Sequence, residues 1–124
     1  MLGAAHACAN PLTAHFGITH GVAIGIMLPH VIRFNGEVAS EEYGEMLRLA
    51  GISFEQTANS GERLARRIEE IEAACGLAGR LREIGVDESM LPELAREAAT
   101  QWTAKFNPRP VGEMELLEIY QMAY

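Results

Sequence analysis

The sequence predicts an all-α fold, a bundle of several helices. Three observations carry this. The residues are 48% hydrophobic but only 6% aromatic, so the core is built mainly from Ala, Leu, Ile, Val and Met, a palette that leans to helix. Glycines and capping residues punctuate the chain at helix-length intervals. No stretch alternates apolar and polar residues for long, as a half-buried strand would. The chain of 124 residues is long enough for one domain, and residues 1–124 are read as a single helical domain.

The elements follow in order. Residues 2 to 15 read as helix, with an uncapped first turn set in apolar sequence. Gly17 breaks it. Thr19 can N-cap a second helix from His20 to about Asn35, in which Pro29 should produce a kink or a division. Gly36 is a stop. Ser40 can cap a third helix, Glu41 to Ala50, ended by Gly51. Ser53 and Gln56 have the form of a capping box and would open a long helix from Phe54 to about Cys75. Its apolar stripe is Leu64, Ile68, Ile71 and Cys75. A short helix, Leu77 to Glu83, closes at Gly85. Asp87 caps another, Glu88 to about Gln101. The run from Asn107 to Pro110 is a rigid break, and a last helix spans about Gly112 to Met122.

Charge narrows the function classes. The net charge of −7 repels phosphate backbones, so nucleic acid is not an expected partner. The longest apolar run, Gly21 to Leu28, falls short of the ~20 residues of a membrane span. No Lys or Arg precedes Arg33, so the basic start of a secretory leader is missing. Cys8 and Cys75 stand far apart, which suits a reducing cytoplasm better than a disulfide framework. All 10 basic and 17 acidic residues lie in 33–124, and all four histidines lie before them. An uncharged stretch expects burial. Concentrating every histidine in it is unusual, because a buried imidazole needs a partner.

On one unbroken helix His6 and His20 would lie about 21 Å apart. A break at Gly17 lets two antiparallel helices bring both rings to one point, where imidazoles could share Fe, Zn, Ni or Cu. Spacing alone leaves a second reading open, that of two partly buried histidines in a helical hairpin. His15, near a turn, and His30, after a proline, read more plainly as bonded to backbone or lining a rim.

The run from His6 to Asn35 resembles the metal-binding segment of the iron-containing alcohol dehydrogenases. His6, Pro11, Leu12, His20, Gly21, Leu28, Pro29, His30, Val31 and Asn35 carry the match. Leu81 to Ala98 is similar to the family's Leu-Arg-x-x-Gly-Val segment with its acidic helix. Asn107 to Tyr120 is similar to its closing motif and last helix, so the resemblance covers essentially the whole chain. It implies that His6 and His20 are the last two of four metal ligands, binding Fe2+ or Zn2+. The other two, an Asp and a His, are expected upstream of this sequence, together with a nucleotide-binding domain for NAD(P). The sequence holds no GxGxxG. Where many members carry a second histidine lining the cleft, this chain has Asn10, which cannot exchange a proton near neutrality.

The implied activity is hydride transfer between a small alcohol and NAD(P), giving an aldehyde or ketone, with this chain inactive by itself. The alternatives are a non-catalytic helical module for interaction or metal binding derived from the family, and an unrelated bundle with incidental histidines. Self-association through an exposed apolar face of residues 1 to 32, or a partner chain carrying the nucleotide-binding domain, is expected.

Overall fold

The computed structural model describes residues 3–53 and 59–124. It contains six α-helices among them: α1 (Ala4–Phe16), α2 (His20–Asn35), α3 (Ser40–Leu49), α4 (Ser60–Ala74), α5 (Leu91–Thr100) and α6 (Glu113–Ala123). Short 3-10 segments lie at Leu81–Ile84, Glu88–Met90 and Trp102–Phe106. The described residues hold no strand, as the sequence predicts.

The two uncharged helices form the centre. α1 packs on α2, α5 and the 3-10 turn at Trp102–Phe106; α2 also packs on α4 and α6. Leu12, Ile26, Met27, Leu94, Leu116 and Ile119 are fully buried between them, each worth about 2 kcal/mol relative to exposure. Tyr120 is equally buried, and its hydroxyl donates to the carbonyl of Cys8 at 2.7 Å. That bond spares the phenol the cost of an unpaired buried polar group. Cys8 is buried and Cys75 exposed, both as free thiols.

Several expectations are corrected. Pro29 does not divide α2, which runs unbroken from His20 to Asn35. Pro29 is itself buried, and packing against three other helices outweighs its missing donor. Thr19 occupies the N-cap position without a side-chain bond; its carbonyl takes Val22 and Ala23 instead. Ser40 does not cap α3 but is its first residue, and its hydroxyl meets that of Ser60 at 2.9 Å. Helix α4 begins at Ser60, capped by Asn59, whose side chain accepts from the amide of Glu62. Phe54 and Gln56 lie outside the described residues. Residues 77–80 are not helical, and only Leu81–Ile84 forms a 3-10 turn. Asp87 does cap, accepting from the amide of Ser89, but the element it caps is the 3-10 turn Glu88–Met90, and α5 begins only at Leu91.

The apolar stripe of α4 is the clearest difference. Ile71 and Cys75 are exposed, while Gly61, Ala65 and Glu72 are buried. Close approach decides this: a Cβ at Gly61 would meet the Cα of Gly36 at 3.1 Å. Small residues therefore face α2, and ion pairs complete the contact. Arg33 binds Glu62 at 2.7 Å and Glu69 at 2.6 Å. Within residues 4–32, Ala7, Leu12 and Met27 are fully buried, while Ile24 and Leu28 are only partly so. The exposed large apolar residues include Leu49, Trp102, Phe106 and Met114.

Candidate metal centre

Helix α1 ends at Gly17, whose φ of 63° is the left-handed geometry that glycine adopts without strain. After the reversal, His20 opens α2. The rings of His6 and His20 come together with centroids 5.5 Å apart and planes tilted by 53°. His6 belongs to the first turn of α1, not its end, so the two rings meet across a packed helix pair rather than at a hairpin tip. Burial first, and the neighbouring His20 second, hold the His6 pKa below its ordinary value. A neutral imidazole keeps a lone pair free for a ligand. His20 is exposed, so the pair opens to one side.

Asn10 lies one turn beyond His6 on the same face of α1. Its amide donates to the side-chain oxygen of Gln101 at 2.9 Å. Gln101 precedes the Trp102–Phe106 turn and was not legible in the sequence, since 91 residues separate it from Asn10. The other two histidines do not join the pair. His15 bonds Glu97 on α5 at 2.9 Å, not backbone. His30 is partly buried, and burial first, then Arg33 and Arg80, lower its pKa to about 4. Among the described residues no group of three His, Cys, Asp or Glu side chains gathers where it could hold a metal.

A largely apolar groove of about 350 Å³ begins at His6 and runs between Ile24, Leu28 and Phe106. A larger hollow of about 1040 Å³ beside α3 contains no histidine.

The family model described as the C-terminal part of the Fe-containing alcohol dehydrogenase family matches residues 1–124. The chain belongs to that family. Lactaldehyde reductase of Escherichia coli is 32% identical over 125 residues, covering 99% of this chain and 33% of the reductase. The crystal structure of a 1,3-propanediol oxidoreductase superposes with a TM-score of 0.91 at 30% identity, covering 98% of this chain and 32% of that one. Sulfoacetaldehyde reductase of Bifidobacterium kashiwanohense, solved in complex with NAD+, is 26% identical with a TM-score of 0.79, covering 98% of this chain and 30% of that one. The chain thus spans about a third of the length of these family members. No described helix is long and apolar enough to cross a membrane.

Proposed function

We propose that this chain is the metal-holding helical part of an NAD(P)-linked alcohol dehydrogenase, which converts a small alcohol to its aldehyde or ketone. The observation that carries the reading is the 5.5 Å approach of His6 and His20. Two imidazoles at one open point suit Fe2+ or Zn2+. The ion would supply Lewis acidity towards the substrate oxygen. His6 and His20 would be two ligands, and an Asp and a His from outside the described residues would complete the set. Asn10, fixed by Gln101, would hold a substrate hydroxyl or a water through its amide without exchanging a proton.

The nicotinamide cofactor would bind a nucleotide-binding domain supplied by upstream sequence or another chain, and the protein would be cytoplasmic. Two histidines and water make an open, weak site, so the chain alone is expected to be inactive with NAD+ or NADP+. A second reading, a non-catalytic module for interaction, is favoured by the exposed pair Trp102 and Phe106, stacked edge to face at 5.6 Å beside the groove. That pair is where self-association or a partner domain would make contact. Alcohol-dependent NAD(P)H formation on adding a nucleotide-binding domain separates the two readings.

The metal assignment is tested by calorimetric titration with Zn2+ at pH 7.5. His20→Ala should weaken binding at least about tenfold, or roughly 1.4 kcal/mol. Equal affinity in the two proteins would remove His20 from the site.

A further inference from the structure

The helix that carries His6 cannot cap itself. Its N-cap residue is Gly3, in extended backbone and without a side chain to accept from the first amides. The acceptor comes instead from the far end of the chain. The side-chain oxygen of Asn107 takes the amide hydrogen of Ala4 at 3.3 Å, across 103 residues. A Cβ at Gly3 would meet that same oxygen at 3.2 Å, so the absence of a side chain at Gly3 makes room for the substitute cap.

Asn107 is itself held from two sides. It donates to the side-chain oxygen of Asn35 at 2.7 Å and to the carbonyl of Arg109 at 2.7 Å. Asn35 donates back to the side-chain oxygen of Asn107 at 3.1 Å. Asn35 is 4% exposed, and breaking a reciprocal amide pair at such a site leaves a buried polar group unpaired. It is also the last residue of α2, the helix that His20 opens. One side chain therefore joins the start of the helix carrying His6 to the end of the helix carrying His20.

We propose that Asn107, oriented by Asn35, is the positioning residue for His6. It caps α1 in place of Gly3 and keeps the first turn of that helix, and with it the His6 ring, within reach of His20. The importance of this for chemistry rests on the reading of His6 and His20 as ligands, but the geometry can be tested without it.

Three variants of the chain decide the matter: Asn107→Ala, Asn107→Asp, and the double variant Gly3→Ser with Asn107→Ala. The readouts are the ring-proton contact between His6 and His20 by NMR, hydrogen exchange of the Ala7 and Cys8 amides, and Co2+ affinity by visible absorption. Asn107→Ala should lose the ring contact, speed exchange of those two amides above the rest of α1, and weaken Co2+ binding about five- to tenfold. Asn107→Asp keeps an acceptor for Ala4 and should retain more of all three. The double variant places a hydroxyl at the N-cap, in space vacated by the amide, and should restore them. If Asn107→Ala alone does not fold, recovery of a folded protein in the double variant supports the proposal, and failure to recover overturns it. Unchanged ring contact and exchange in Asn107→Ala, or no rescue, would overturn it too. Wild type that ignores Co2+ while the NMR readouts behave as expected would sink the metal reading and leave the positioning role standing.

Discussion

At its start α2 presents His20 on an exposed turn beside Gly21, with no ion pair and no side-chain hydrogen bond among the described residues. At its end the same helix is fastened on every side. Arg33 reaches Glu62 and Glu69, the carbonyl of Phe34 accepts from Arg109 at 2.9 Å, and Asn35 is locked to Asn107. The Arg109 guanidinium also lies 4.1 Å over the Phe34 ring. On the proposed reading of His20 as a metal ligand, an open position is placed by restraints roughly 22 Å away, at the other end of a stiff rod, where they do not compete with the ion.

The largest expected effect lies in the fastened half and comes from acid. Burial, with Arg33 and Arg80, depresses the His30 pKa to about 4. A neutral folded histidine that charges on unfolding gives stability that is intact above the unfolded value near 6.5 and lost as pH falls through 4. Urea unfolding at pH 7 and pH 4 should differ by up to about 3 kcal/mol on this account. The His30→Gln variant should lose much less between the same two pH values.

Next comes the ion-pair triad. Its members are partly exposed, so the Coulomb contribution is discounted. Arg33→Met leaves Glu62 and Glu69 facing α2 without their cation and should cost about 1–2 kcal/mol, read as a fall in Tm of about 5–10 °C. An unchanged Tm would mean that the Arg33 ion pairs contribute nothing to holding this end of α2.

Glu72 has the opposite pH sense. It is 9% exposed, and burial first, then the charge of Glu69, raises its pKa to about 7. A raised carboxyl pKa penalises the ionised folded form, so the penalty is absent at pH 4 and full at pH 8. Glu72→Gln should therefore stabilise the protein by about 1 kcal/mol at pH 8, and the gain should vanish by pH 4. Thermal melts at the two pH values measure it.

The smallest effect belongs to the open end. His20→Ala should change stability by less than about 0.5 kcal/mol, because an exposed side chain with no hydrogen bond or ion pair among the described residues carries little of the fold. A larger loss by chemical denaturation would show that His20 is structural, and would erase the difference between the two ends.

What the sequence could reveal follows the same division. Gly17 and the helical character are local signals found where they were read, and Asp87 caps at its place, though on a 3-10 turn that precedes α5. The roles proposed for His6 and His20 rest on resemblance, since spacing alone left a plain hairpin open. The partners of Arg33 lie 29 and 36 residues away, Gln101 lies 91 from Asn10 and Asn107 lies 103 from Ala4. No local pattern encodes such pairings. The α4 stripe misled for a related reason: periodicity finds a helix face, but the neighbour decides which face is buried, and here α2 selected Gly61 and Ala65. Pro29 misled because the rule for isolated helices ignores the packing that keeps α2 whole.

Whether His6 and His20 share one ion, as proposed, is read from X-ray absorption at the zinc edge of the Zn2+-loaded chain. Two imidazole nitrogens at about 2.0–2.1 Å are expected, with oxygen from water in the remaining positions, falling to one imidazole in either His6→Ala or His20→Ala. A spectrum with fewer than two imidazoles in wild type, or one unchanged by both substitutions, would contradict the shared site.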